Sequence, residues 1–473
     1  MMPGMRRERL VWAVACAGSA LWSVGCGGDG FSLVAPSPQQ QRNVMVIDEG
    51  FDLSISELQG RVAAVYTETC ADETSDGADG GASLDAGGPD AGASFDQIKQ
   101  ALLAALSGPD DSCHLTVGIG AKPDPFASIA QYRTRWNAMV RANQSGNQAF
   151  TQAEYTAITK VLDNEFQTFA YHGTATSGTV VHDNPTARLV LVERQLASDA
   201  EIQSSFTCFV QSDIDQAVQL LSDPEVNAAL VNQPAEVEGD LATAQGKYDV
   251  GLVNESFGSS SRAALEAMQT AANCPSSVDL SAYFSILDQI QIAHAATLTG
   301  PAVLTVQAAG NDGSEIDSGA DSLACDIGDP LSLLVGSYDP GNQVRNMFSD
   351  FGACVDVYAP GQSVVAPYAG DWLLWLDGTS FSSPMAARLV SLDTTASWTP
   401  ALGRTDLLAE RATDGSLPVS LFPDDFFYTP DETPTAALIA GALRERVAPR
   451  PVTRVELHRV LHPLNLLRSL RRR

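Results

Sequence analysis

Five short runs rich in Val, Leu and Ile lie along this chain, and stretches long enough for at least one helix separate them. They are Asn43–Ile47, Arg188–Glu193, Asp249–Ser256, Ala302–Ala309 and Leu331–Tyr338. Apolar runs of this kind, without alternation, suit strands buried on both faces, as in a parallel sheet. Helical patterns fall near Ser205–Leu221, Arg262–Ala272 and Ser281–Leu298. Strand, helix and strand in succession predict a mostly parallel α/β sheet with helices on both sides. In such sheets functional residues gather at the carboxyl ends of the strands.

Four segments carry chemistry-bearing residues at such places. Val44-Met45-Val46-Ile47-Asp48-Glu49-Gly50 delivers a carboxylate from a strand into a Gly turn. His172-Gly173-Thr174-Ala175-Thr176-Ser177-Gly178 holds an imidazole, and Ala308-Ala309-Gly310-Asn311 ends a strand on an amide. Gly378-Thr379-Ser380-Phe381-Ser382-Ser383-Pro384-Met385-Ala386 opens a helix with hydroxyls. Each alone has a plainer reading: a turn Asp, a loop His, turn chemistry for Asn, a helix N-cap for Thr and Ser. Together they supply each part of an acyl-transfer site once. A serine hydroxyl needs a base to take its proton, and the imidazole needs a carboxylate to fix its tautomer. The oxyanion needs donors such as an Asn amide and a helix N-terminus.

The order Asp48, His172, Ser380 resembles that of the subtilisin-like serine peptidases. His172-Gly173-Thr174 with Gly178 resembles that family's histidine block, and Gly378-Thr379-Ser380 with Pro384 its serine block. Val253-Asn254-Glu255-Ser256-Phe257-Gly258 resembles its substrate-binding strand. The run from Phe348 through Asp356 to Gly361 resembles the stretch upstream of its serine. The likeness covers roughly residues 43–66 and 166–397. It implies a doubly wound, mainly parallel α/β sheet over 44–397, with a long insertion, about 70–165, between the Asp and His segments. It implies a serine endopeptidase with Asp48, His172 and Ser380 as catalytic residues and Asn311 in the oxyanion hole. A polypeptide substrate would lie along Ser256, Phe257 and Gly258 as an added strand. A silent relative that only binds peptides, and a hydrolase of esters or small amides, are the competing readings. No cofactor is required, and a structural calcium, common in the family, is assigned to no residue.

The chain also departs from the pattern. Glu49 replaces the usual Thr or Ser after the Asp, Ala175 and Thr176 replace the commoner His and Val, and Arg388 stands where Gly is usual. The 124 residues from Asp48 to His172 exceed the family's usual spacing. The insertion is a lid, a partner surface or a tolerated excursion from the scaffold, the last two being preferred. Within it, helical patterns occupy Phe95–Leu106, Ser128–Asn143 and Gln152–Ala170. Residues 71–94 are Gly, Ala, Asp and Ser with hardly a large apolar side chain, a solvated acidic loop by composition.

The ends read differently from the middle. Arg6, Arg7 and Arg9 precede the apolar run Leu10–Val24, an export signal too short for a confident membrane span. Ser23-Val24-Gly25-Cys26 resembles a bacterial lipoprotein processing site, with Cys26 as the lipidated residue; ordinary cleavage nearby is the alternative. The expected location is therefore outside the cell or anchored in its envelope. Residues 27–43 form a linker, and 398–473 an extension whose tail from Arg444 holds nine Arg against Glu445 and Glu456. A net charge of −29, from 57 acidic and 28 basic residues, argues against nucleic acid as a partner. Six Cys remain after the leader, suiting up to three disulfides in an exported chain; Cys325 with Cys354 and Cys70 with Cys113 are the first pairs to test.

Overall fold

A computed structural model describes residues 42–70, 94–107, 113–120, 122, 124–168, 170–194, 208–233, 236–256, 261–271, 274, 278–295, 300–319, 321–325, 331–339, 344–392 and 399–400. The leader with Cys26, residues 71–93 of the acidic loop, Phe257 and Gly258, and nearly all of 398–473 lie outside them.

Its strands are β1 (Arg42–Asp48), β2 (Val62–Cys70), β3 (Cys113–Val117), β4 (Ala187–Glu193), β5 (Val250–Glu255) and β6 (Leu304–Ala308). β7 (Ser332–Asp339), β8 (Val344–Arg345), β9 (Val357–Pro360), β10 (Val364–Tyr368) and β11 (Trp372–Leu376) follow. The helices in chain order are α1 (Phe95–Ser107), α2 (Arg133–Arg141), α3 (Gly146–Ala149), α4 (Gln152–Thr168), α5 (His172–Val181) and α6 (Gln211–Leu221). Then come α7 (Pro224–Val231), α8 (Glu236–Lys247), α9 (Arg262–Ala271), α10 (Ser281–Ala295) and α11 (Thr379–Leu392).

The main sheet runs β3-β2-β4-β1-β5-β6-β7-β8, with β9 also paired to β7. Every pairing from β2 to β7, and that of β9, is parallel; β3 and β8 close the edges antiparallel. β1 lies at the centre. The chain leaves it toward β2 and β4 on one side and toward β5 on the other. In open α/β sheets such a reversal is where ligands bind, outside the carboxyl ends of the strands. Val44 and Val46 face one core with Leu189, Leu252 and Val306; Met45 and Ile47 face another with Val190, Val192 and Val253. Burial on both faces accounts for the unbroken apolar run in β1. The architecture is doubly wound, as expected.

The helices of the insertion correct one expectation. Ile129, Trp136, Met139, Val140, Phe150, Ile158 and Leu162 share the first core with Val44, α5 and α11. This part of the chain is therefore built into the scaffold instead of standing off it: the apolar face of α2 packs on the β10–β11 hairpin, and Glu165 of α4 accepts from the Tyr368 hydroxyl of β10 at 3.1 Å. Trp136 Nε1 donates to Leu373 O at 2.8 Å; Asn137 Nδ2 donates to Asp371 O at 2.7 Å and its Oδ1 accepts from Leu373 N at 2.9 Å.

Disulfides join Cys208 to Cys274 and Cys325 to Cys354. Cys113 is also disulfide-bonded, and its backbone stands directly opposite Cys70 across β2 and β3. Among the described residues no helix is long and apolar enough to cross a membrane.

Candidate active site

Asp48 is the last residue of β1, and the turn after it docks on the start of α5. Gly50 takes a positive φ of 70°, and a Cβ there would lie 1.6 Å from Ala170 O, so only glycine fits. This close approach lets the carbonyls of Glu49 and Gly50 accept from the N–H groups of Gly173 and Thr174 at 2.6 and 3.0 Å. Two donors that helix geometry leaves free at an N-terminus are thereby satisfied. The same docking sets His172 against Asp48.

The pair is buried, Asp48 at 1% and His172 at 3% exposure. His172 Nδ1 is 2.7 Å from Asp48 Oδ1, which also accepts from Glu49 N at 2.7 Å. Oδ2 accepts from Thr176 Oγ1 at 2.8 Å. Burial works against the charged imidazolium, but the charge and hydrogen bond of Asp48, with the charge of Glu49, outweigh it. His172 therefore sits above its ordinary value. With Nδ1 tied to the carboxylate, Nε2 is the nitrogen left to accept a proton.

Ser380 lies in the first turn of α11, which packs against α5, and its neighbour Phe381 has its ring centroid 5.5 Å from that of His172. Asn311 follows β6, and its Oδ1 accepts from Thr379 N at 2.9 Å and Thr379 Oγ1 at 3.0 Å. Two donors on that atom assign it as oxygen and turn the amide nitrogen the other way. Gly378 has φ 148°, and a Cβ built on it would find Asn311 Nδ2 at 3.5 Å and Ser380 N at 3.7 Å. Both donors thus flank one small space beside Ser380, left open by the lack of a side chain at 378. Preorganised donors about such a space suit a developing oxyanion.

Of the remaining sequence candidates, Ser256 is the one among the described residues. Ser256, at the end of β5, is fully buried; its hydroxyl accepts from Asn254 Nδ2 at 2.8 Å, and Asn254 Oδ1 accepts from Ser383 of α11 at 2.6 Å. This chain of bonds ties β5 to the helix bearing Ser380. Arg388, one of the departures, is buried with Nε donating to His182 O at the end of α5, where a cation suits the free carbonyls.

Sequence reasoning missed three members of the site. Thr176 lies four residues after His172, the spacing of one helix face, and that spacing was the available signal. Lys122 and Glu193 form an ion pair at 2.9 Å near Glu49, and nothing in the sequence joins residues so far apart. Burial, opposed by Lys122 and reinforced by Asp48 and Glu193, pushes Glu49 up to about 7. No group of three or more His, Cys, Asp or Glu among the described residues could hold a metal ion.

Comparison with known proteins agrees in kind. Two 36% identical relatives are an alkaline serine protease of Corniculantispora psalliotae, over 97 residues, and the M-protease of Shouchella clausii, over 102. The matches cover 20% and 22% of this chain and 24% of each relative. Subtilisin Savinase of Lederbergia lenta is also 36% identical, over 22% of this chain and 35% of its own length. The chain thus matches about a quarter to a third of the length of these curated relatives. Among solved structures, a cold adapted subtilisin-like serine proteinase covers 82% of this chain and 90% of its own, at 15% identity and a TM-score of 0.34. The protease domain of PatA covers 79% and 88%, at 14% identity and 0.35. Scores this low add nothing to the fold, which rests on the strand order. The family model for the subtilases, peptidase family S8, matches residues 40–409, most of the chain and all four segments at once. With the sheet, the helices and the site geometry in agreement, the chain belongs to the subtilase family.

Proposed function

We propose that this protein is a serine endopeptidase. The observation that carries the reading is the buried Asp48–His172 pair, in a fold that packs α5 against α11, the helix bearing Ser380, and leaves Asn311 Nδ2 and Ser380 N close to one space beside Gly378. In this reading the Ser380 hydroxyl adds to the scissile carbonyl carbon while its proton passes to His172 Nε2. Asp48 stabilises the imidazolium, and the two nitrogen donors hold the oxyanion. Collapse breaks the C–N bond, the leaving amine takes the proton from His172, and an acyl-enzyme on Ser380 remains. Water, deprotonated by His172, repeats the sequence and releases the acid. A polypeptide in extended form pairs with the backbone from Ser256 onward, so main-chain contacts dominate recognition.

Export is part of the proposal. The leader, the run at Cys26 and the disulfides support a protein outside the reducing cytosol, with a lipid on Cys26 holding it to the envelope.

The test is labelling of the purified chain with a fluorophosphonate probe, beside Ser380→Ala and His172→Ala. Labelling lost in both variants, with casein digestion by the unaltered protein, is expected. Labelling and small-ester turnover without proteolysis points to the esterase reading. A folded protein that does not label removes the catalytic reading and leaves a peptide-binding relative.

A further inference from the structure

α5 carries four buried hydroxyls, on Thr174, Thr176, Ser177 and Thr179. Ser177 and Thr179 donate to carbonyls of their own helix, at Gly173 (2.5 Å) and Ala175 (2.8 Å), as buried Ser and Thr in helices commonly do. Thr174 serves the docking turn, accepting from Asp52 N at 2.7 Å and lying 3.2 Å from Gly50 O. Thr176 differs. It has a helix carbonyl in range, Gly173 O at 3.2 Å, yet Asp48 Oδ2 is closer, at 2.8 Å, and charged. Its single proton goes to the carboxylate, the stronger acceptor. One turn of helix thus grips both oxygens of Asp48, His172 on Oδ1 and Thr176 on Oδ2. Position 176 holds Val in the commoner form of this block, and position 49 holds Thr or Ser. Here a hydroxyl has appeared on one side of Asp48 and an acid on the other.

We propose that Thr176 is a positioning residue whose hydroxyl clamps the second oxygen of Asp48, fixing the carboxylate toward His172 and offsetting the acid at Glu49. The inference rests on the peptidase reading and deepens it. A carboxylate's terminal torsion is broad, so the bonds of His172 and Glu49 N on Oδ1 alone leave Oδ2 to swing, and a bond on the second oxygen holds it. The hydroxyl also draws charge from Asp48 and tempers its hold on the imidazolium. Its effect on His172 is opposite in sign to that of the Glu49 charge. Among the described residues, the other charged groups acting on Glu49 are Glu193, at the end of β4, and its ion-pair partner Lys122.

The test is Thr176→Val, which keeps the shape and removes the donor. In the full-length protein, NMR of labelled imidazoles follows the His172 titration, in the Ser380→Ala background as well as with Ser380 intact. The midpoint is expected to rise by about half a unit to one unit, with kcat down about tenfold and KM within about twofold. Thr176→Ser restores all three. An unmoved or lowered midpoint in the folded Val variant overturns the proposal, as does an equal rise in the Ser variant. Should the Val variant not fold, Thr176→Cys, a weaker donor of similar size, gives a smaller rise, and an unmoved midpoint there overturns the proposal equally. The titration needs no turnover. A protein that shows the expected shifts but never labels with fluorophosphonate therefore supports the clamp while removing the peptidase reading.

Discussion

Replacing Trp136 by Ala tests whether the insertion is structurally part of the scaffold. The side chain is 1% exposed, and its ring lies 6.1 to 6.2 Å, centroid to centroid, from those of Trp372, Trp375 and Phe150. Removing a buried aromatic side chain of this size costs about 3–5 kcal/mol. Leu373 O also loses its donor inside the core, a further penalty of about 1–3 kcal/mol. The sum, roughly 4–8 kcal/mol, is a large share of the about 5–15 kcal/mol that holds a folded domain together. Trp136→Phe keeps most of the ring and isolates the second contribution, so it is expected to lose about 1–3 kcal/mol. Urea unfolding with the disulfides intact, in the Ser380→Ala background to prevent self-digestion, measures both. The hairpin that Trp136 braces ends at Leu376, two residues before Gly378, so the folded remainder should also label more slowly when Ser380 is present. A loss below about 1.5 kcal/mol for the Ala variant would mean that α2 packs as a separable excursion after all.

Two further variants probe the centre itself. Glu49 ionises at about 7 in the folded protein against an ordinary 4.5, so between those values the unfolded chain has released a proton that the folded chain retains. Stability therefore falls as pH rises through this window, and Glu49→Gln should be the more stable by up to about 3 kcal/mol at pH 8, with no advantage near pH 4. The same variant removes a charge that favours the imidazolium, so the acidic limb of kcat/KM should move to lower pH; a move to higher pH refutes the coupling. At Gly178 a Cβ would lie 2.2 Å from Pro367 Cγ, so Gly178→Ala should cost about 1–3 kcal/mol by forcing α5 from β10, read as a lower heat-unfolding midpoint. An unchanged midpoint would mean that the two elements separate without strain.

Much of the sheet was legible because its strands are buried on both faces. Asn43–Ile47 and Arg188–Glu193 fall within β1 and β4, and Leu331–Tyr338 differs from β7 by one residue at each end. β3 escaped notice for the converse reason: it is a five-residue edge strand, largely exposed, with no apolar run to mark it. β10 and β11 escaped too, although both are buried, since Pro367 and the short spans hide a hairpin in a stretch without strong periodicity. The pairing of Cys325 with Cys354 was among the first choices, but that of Cys208 with Cys274, 66 residues apart, was not. Helices α1, α2 and α4 were expected nearly as found. What they cover was not, because an apolar helix face states that it is buried without stating against what.

The sheet's character, the family likeness and the four segments on which the active site is proposed to stand can all be read from the order of residues alone. Those properties are local: apolar runs of strand length, glycines where the backbone must turn, hydroxyls at a helix start. Which oxygen of Asp48 meets His172, that Thr176 takes the other, and that Asn311 Nδ2 and Ser380 N lie close to one space follow from the packing of the folded chain. It also brought Lys122 of the insertion to Glu193 beside Glu49. Hydrogen bonds and charge interactions act over a few ångströms, and the distances that set them arise from packing between elements over a hundred residues apart.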